Sequence, residues 1–243
     1  MSEQPLSEQS TVRVIALNGS PHRNGNTATL MNWVLEGCAE AGAEVQWLHI
    51  VDYDIEYCQG CFTCLREGAC PIQDDFVEVR ERLLAADGIV AGSPVYEGQP
   101  TAQLKTFLDR LTLLNLYVGT FTEQYSVGVA TSGIAPTRCT AKAAAEGLGR
   151  CCGTLGAKTA SLAHGYQPLS RSHSPRLPDR ARGLGERLVR TIRHPRKLST
   201  VHLNHLWIGF LRQVLKHVVV KRSPEQFAGV LRLWREREEQ TRA

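Results

Sequence analysis

A doubly wound α/β fold, with a five-stranded parallel sheet of order 2-1-3-4-5 and a helical C-terminal extension, is the architecture this sequence predicts. Three observations carry the expectation. Short apolar runs rich in β-branched residues alternate with stretches of helical periodicity, which implies a parallel sheet covered on both faces. Turns rich in Gly, Pro, Ser and Asn follow the first, third and fourth strands, and these fall on one edge of such a sheet. A chain of 243 residues with 42% hydrophobic composition can bury one full-sized core plus an appendage.

The elements follow in order. Val12–Leu17 is an apolar run leading through a Gly/Ser/Pro/Asn turn into a helix from about Thr27 to Ala41. Val45–Val51 reads as the second strand. After a cysteine-rich segment a helix begins near Phe76, with Asp75 and Glu78 spaced as a capping box. Gly88–Ala91 is the third strand. Pro100 suits the first turn of a helix whose Leu104, Phe107, Leu108 and Leu111 form one apolar stripe. Tyr125–Thr131 and Lys158–Leu162 supply strands four and five, with a helix between them. Residues 1–11 read as a frayed terminus, 12–194 as the α/β domain and 195–243 as the extension.

Charge is unevenly spread. Residues 1–179 hold 13 Lys/Arg against 19 Asp/Glu, whereas residues 180–243 hold 15 against 5, so a body of about −6 carries a tail of about +10. The polar, acidic start lacks the pattern of a secretory signal, and a cytoplasmic location is expected. The most apolar late segment, Leu198–Val220, is broken by Arg212 and Lys216 and is too short in its uncharged run to span a membrane. Without an export signal, the eight cysteines read as thiols, metal ligands or redox groups rather than disulfides.

The first chemical motif is Asn18-Gly-Ser-Pro-His-Arg-Asn-Gly-Asn-Thr27, between strand one and helix one. Two glycines bring backbone N–H groups close to an anion, and the helix dipole behind them favours negative charge. Ser20, Asn26 and Thr27 add side-chain donors. The motif lacks the glycine pattern of a dinucleotide fold and the Gly-Lys-Ser/Thr of a triphosphate loop, so a phosphate-bearing mononucleotide is the expected ligand. An ordinary strand-to-helix turn is the bland alternative. The second motif, Ser93-Pro-Val-Tyr-Glu-Gly-Gln-Pro100, closes strand three and offers backbone amides and Tyr96 to a flat heterocycle; Tyr96 read alone is equally a core plug. Thr131-Ser132-Gly133 ends strand four at the same edge.

These residues resemble the iron–sulfur flavoproteins, within the broader group of NAD(P)H-dependent FMN reductases. The likeness covers roughly Val12 to Leu162. It rests on the loop above, on Ala91-Gly-Ser-Pro-Val-Tyr96, and on Leu104-Lys-Thr-Phe-Leu-Asp-Arg110. The resemblance implies a flavodoxin-like fold in which Ser20, Asn26 and Thr27 hold the FMN phosphate. It further implies that Pro94, Val95, Tyr96 and Gly98, with Glu97 between them, border the isoalloxazine; Thr131, Ser132 and Gly133 are expected, from their place at the same sheet edge, to contact the ring or the phosphate. His22 stands where the family usually has arginine, with Arg23 one residue later, so either can supply the phosphate's cation. Cys58-Gln-Gly-Cys61-Phe-Thr-Cys64-Leu-Arg-Glu-Gly-Ala-Cys70 matches the compact spacing of the iron–sulfur branch and implies a [4Fe–4S] cluster on Cys58, Cys61, Cys64 and Cys70. Four thiolates also suit zinc, and a motif without metal is a further alternative. The resemblance implies an oxidoreductase taking electrons from NAD(P)H or a ferredoxin, with homodimers or homotetramers bringing one subunit's cluster near another's FMN.

Asp74 and Asp75 read as caps of the following helix. Cys38, Cys139, Cys151 and Cys152 read as core-packing residues. No Ser-His-Asp arrangement or metal-ligand spacing of histidines is evident, which argues against hydrolysis. In the tail, Leu203 to Val218 repeats with helical periodicity, and Ser223, followed by Pro224, is expected to cap a second helix whose Phe227, Val230, Leu231 and Trp234 form another stripe. Their expected partner is the acidic body or a second subunit. Nucleic acid is not expected. Two other functional classes stay open: a cluster-free FMN reductase, and a redox sensor that binds a partner through its basic tail.

Overall fold

In the computed structural model of the chain the described residues are 11–121, 124–133, 138–148, 153–154, 162–165, 175–194, 210, 213–214, 217–218 and 222–242. Four strands form the body of the sheet: β1 (Arg13–Asn18), β2 (Glu44–His49), β3 (Gly88–Pro94) and β4 (Tyr125–Ser132). They run parallel in the order β2-β1-β3-β4. Beyond β4 lie two short pieces, β5 (Gly153–Thr154) against the start of β4 and β6 (Leu162–Gly165) against its end. The single strand expected at 158–162 thus meets the described residues only at Leu162.

The helices are α1 (Asn26–Glu40), α2 (Thr63–Glu67), α3 (Phe76–Leu84), α4 (Ala102–Val118), α5 (Arg138–Glu146), α6 (Leu177–Arg193) and α7 (Ala228–Arg242), with 3-10 turns at Ile50–Asp52 and Pro224–Phe227. Period-two alternation in β1 sends Val14 and Ala16 to one face and Ile15 and Leu17 to the other. The first face packs with Leu30, Met31 and Val34 of α1 and with Leu184 and Leu188 of α6. The second packs with Phe76, Val79 and Leu83 of α3 and Leu104, Phe107 and Leu111 of α4. β3 and β4 are buried along nearly their whole length, as a strand covered on both faces must be.

Several expectations are corrected. The second strand stops at His49, where the chain tightens into a 3-10 turn. Pro100 precedes α4, and Thr101 is the cap, its hydroxyl accepting from the Leu104 amide. The Asp75–Glu78 capping box does not form; Asp74 Oδ1 accepts from the Phe76 amide instead, at 3.1 Å. Ser223 provides no side-chain cap. Cys38 is buried as expected, but Cys139 is exposed, because α5 turns Thr140, Ala141, Ala144 and Ala145 inward. Cys151 and Cys152 lie outside the described residues, as does most of the segment 203–218 where a helix is expected; its described Phe210, Val214 and Val218 are exposed. Among the described residues no helix is long and apolar enough to cross a membrane.

Helix α6 is absent from the expected elements, although Leu177, Ala181, Leu184 and Leu188 lie on one buried face. It meets α1 at backbone distance: a Cβ on Gly37 would lie 2.0 Å from the Arg182 carbonyl oxygen, and one on Gly185 would lie 1.9 Å from that of Val34. Gly183, one turn-face away, has open space around it. Gly37→Ala therefore destabilises the fold by about 1–3 kcal/mol through overpacking, whereas Gly183→Ala stabilises it by about 0.5–1 kcal/mol. Urea unfolding midpoints of the two variants check this; equal midpoints would contradict the close packing of α1 on α6.

Candidate functional site

Three strand-to-helix loops meet at the carboxyl edge of the sheet. The β1–α1 loop is organised by Asn18, a buried side chain at the strand's end. Its Oδ1 accepts from the Ser20 amide at 2.9 Å, and its Nδ2 bonds His49 Nδ1 at 3.0 Å. Because Oδ1 is already occupied, the Asn18 amide donates to Nδ1, which leaves the neutral His49 proton on Nε2. Burial lowers the His49 pKa, Arg23 assists and Asp52 opposes, so the neutral ring is the favoured form. Ser20 Oγ in turn accepts from the His22 amide at 3.1 Å. The loop's base is tied to its neighbours: the Gly19 amide donates to Gly92 O at 2.8 Å, and the Thr101 hydroxyl donates to Gly19 O at 2.5 Å.

This loop delivers the N-terminus of α1. Gly25 is the cap residue, no side chain caps it, and no acid lies in the first turn. A fifteen-residue helix thus ends in amide donors with a favourable dipole and no internal acceptor, the arrangement that receives a phosphate. Asn26 is exposed beside it, and Thr27 is buried. The Thr27 and Thr131 hydroxyls lie 2.7 Å apart, linking the first turn of α1 to the end of β4. His22 and Arg23 are both exposed, but Arg23 is paired with Asp52.

The β3–α4 loop forms a tight hairpin. Tyr96 and Gln99 exchange backbone hydrogen bonds of 3.0 and 2.9 Å, and Glu97 and Gly98 between them have φ of 47° and 75°, as a two-residue turn of this kind demands. The turn is pinned from both sides: the Val95 amide donates to Thr131 O at 2.8 Å, and the Thr140 hydroxyl to Gly98 O at 3.2 Å. Pro94 and Val95 are half-buried, and Tyr96 is 48% exposed, so it is not a core plug. Thr131 and Ser132 are buried and Gly133 half-buried on the adjoining loop. The structure thus gathers the loops that carry the expected phosphate and ring residues into one cross-linked edge.

The four cysteines of the second candidate site lie in an excursion closed at its neck by two aspartates. Asp75 Oδ2 accepts from the Asp54 amide at 2.7 Å, and Asp74 Oδ2 from the Glu56 amide at 2.8 Å. Within the excursion Cys58 and Cys61 are exposed, and Cys64 and Cys70 half-buried. Cys64 sits on α2, a five-residue helix entered at Phe62 with φ 55° and left at Gly68 with φ 74°. Burial pushes the Cys64 thiol up, and Cys70, Cys61 and Cys58 add to that rise. Hydrogen bonds from Thr63 lower Cys61. Among the described residues no three His, Cys, Asp or Glu side chains are arranged as a metal site.

Arg110 was not singled out by sequence reasoning, yet it anchors this segment. Its side chain is fully buried and paired with Asp74. It also donates to Cys70 Sγ at 3.4 Å, Ile72 O at 3.3 Å and Glu56 O at 3.4 Å, with its guanidinium 4.2 Å from the Phe76 ring centroid. Burial would raise the Asp74 carboxyl, but hydrogen bonds from Arg110 and the Glu56 and Phe76 amides outweigh it and hold the group below its ordinary value.

Comparison with known proteins places this geometry. Residues 12–150 match the family described as NADPH-dependent FMN reductase. An iron–sulfur flavoprotein of Methanocaldococcus jannaschii is 43% identical over 99 residues, which is 41% of this chain and 51% of that protein. An iron–sulfur flavoprotein of Archaeoglobus fulgidus is 35% identical over 124 residues, 48% of this chain and 56% of its own. The chain thus spans about half the length of the curated relatives it matches. A flavodoxin structure from the domain Archaea superposes with a TM-score of 0.50 at 13% identity, covering 75% of this chain and all of that one; the fold is flavodoxin-like.

Asp74→Asn removes the charge opposite a buried guanidinium, which costs about 3–5 kcal/mol near neutral pH. A depressed carboxyl contributes stability above its ordinary value of 3.8 and loses that contribution as pH falls through the lower folded value. Denaturant titrations of both proteins across pH check the sign: the gap narrows on acidification below 3.8, and a gap independent of pH contradicts it.

Proposed function

The chain belongs to the NADPH-dependent FMN reductase family, and from that premise we propose that it is an iron–sulfur flavoprotein that passes electrons between a donor, NAD(P)H or a ferredoxin, and an acceptor. FMN occupies the three-loop edge and a [4Fe–4S] cluster the segment Cys58–Cys70. The observation that carries the reading is the uncapped N-terminus of α1, free of acidic residues, facing loops cross-linked by Thr27 and Thr131.

The residue types suit both groups: hydroxyl and amide donors for the phosphate, and four cysteines in one excursion, the donor type a [4Fe–4S] cluster takes, although their side chains are not gathered as a metal site in this structure. Ser20, Asn26, Thr27 and the first amides of α1 hold the phosphate, with His22 the freer cation donor because Arg23 is engaged by Asp52. Pro94, Val95, Tyr96, Glu97 and Gly98, with Thr131, Ser132 and Gly133, border the ring. Cys58, Cys61, Cys64 and Cys70 supply four thiolates, and the Arg110 hydrogen bond to Cys70 Sγ offsets part of their charge. When bound, FMN exchanges a hydride or single electrons and the cluster one electron at a time. Thiolate ligation suits a reducing compartment, and we read the protein as cytoplasmic and a homo-oligomer. The pairing of both β5 and β6 with β4 supports five strand positions in the order 2-1-3-4-5.

A cluster-free FMN reductase is the second reading, favoured by the exposure of Cys58 and Cys61. Oxygen-protected purification with flavin, iron, sulfide and zinc counts separates the two. We expect about one FMN and about four irons per chain, with iron lost and flavin kept in Cys61→Ser. Ser20→Ala weakens FMN binding about tenfold in a fluorescence titration. Flavin without iron selects the second reading, and protein with neither group overturns both.

A further inference from the structure

The C-terminal helix α7 lies outside the residues matched by the family, yet it packs directly on the cysteine segment. Helix α2, which carries Cys64, has five residues, far fewer than the roughly 12–15 an isolated helix needs to persist in water. Its order must come from packing. Leu65 of α2 is buried in a cluster with Leu114 and Val118 of α4 and with Phe227, Val230 and Trp234. Cys64 packs against the same cluster.

The contact is specific as well as apolar. A Cβ on Gly229 would lie 2.0 Å from the Gly68 nitrogen and 2.5 Å from the Glu67 carbonyl carbon, so only glycine allows α7 to approach the end of α2. Arg232 Nη2 donates to Glu67 O at 2.5 Å, satisfying a carbonyl that a helix C-terminus leaves open. Farther along α7, Trp234 Nε1 donates to Tyr117 O at 2.9 Å and Arg237 Nη1 to Val118 O at 2.7 Å, fixing the helix to the end of α4. The Tyr117 and Phe227 rings meet at 5.1 Å between centroids.

We propose that α7 is a clamp that positions the cysteine segment: Gly229 and Arg232 lock the end of α2, and the Phe227–Trp234 face covers Cys64. The proposal deepens the iron–sulfur reading and rests on it for the function of the clamp, because a loop held in place loses less conformational freedom when four thiolates close around a cluster. In the absence of α7, α2 opens, Cys64 becomes accessible and a bound cluster is released sooner.

The test uses the full chain with Gly229→Val and, should that variant fold poorly, Arg232→Ala. In iron-free protein, iodoacetamide labelling of each cysteine is followed by mass spectrometry, with buried Cys38 as the internal control for an intact body. Cys64 is expected to label at least about tenfold faster in the variants, while Cys38 stays protected. In protein loaded with iron, transfer to a chelator is expected to accelerate by a similar factor without loss of flavin. Unchanged Cys64 labelling in both variants overturns the clamp. Faster Cys64 labelling in a protein that never takes up iron supports the clamp and overturns the cluster reading instead.

Discussion

A guanidinium with no access to water sits where the flavodoxin-like body meets the cysteine excursion, and the candidate iron–sulfur site depends on how it is satisfied. Burying such a charge costs several kcal/mol unless it is paired and hydrogen-bonded. Arg110 meets most of that requirement through its two Nη groups, with the Asp74 carboxylate, two backbone carbonyls and the face of Phe76, while Nε is buried without a partner. All four partners come from the excursion or its neck, whereas Arg110 comes from α4, whose Leu104 and Phe107 are packed on the sheet. The pair therefore transmits the rigidity of the core to a segment with little core of its own. Its remaining hydrogen bond, to Cys70 Sγ, places a positive charge beside one of the proposed thiolate ligands.

The other half of the site is built on a different principle. Hydroxyl and amide bonds at the ends of β1, β3 and β4 fix three loops to each other: Thr101 to Gly19, Val95 to Thr131, Thr27 to Thr131. None of these groups is charged, and no acid lies in the first turn of α1, so its N-terminus offers amide donors and a helix dipole to an anion. Helix α4 leads out of this edge at Thr101 and reaches Arg110 about two and a half turns later. One rigid element thus spans from the proposed flavin loops to the proposed metal ligands.

Much of this was legible in the sequence because burial on both faces imposes long apolar runs, and β1, α1, β3, α4 and β4 appear within a few residues of their expected bounds. The β1–α1 turn, proposed to hold a phosphate, was legible for a local reason, since its glycines and hydroxyls act within a few residues of each other. What escaped depends on distant partners. Arg110 in an amphipathic helix reads as a solvated charge, and nothing nearby in sequence announces Asp74. The Asp75–Glu78 pattern suggested a local cap, but both aspartates are drawn back to the amides of Asp54 and Glu56. The many charged residues of helix α6 mask its apolar stripe in the sequence, and its fit rests on that stripe together with the glycines at its crossing with α1. The partner of the Phe227–Trp234 stripe proved to include α2, which its five residues kept from being recognised as a helix.

Hydrogen exchange followed by mass spectrometry, on Arg110→Met beside the unmodified protein, tests most directly whether this one side chain holds the excursion to the body. Loss of protection confined to residues 54–76, with the amides of β1, β3 and β4 unchanged, is the predicted result. Protection of 54–76 that survives the substitution, or loss spread evenly through the sheet, would contradict the account.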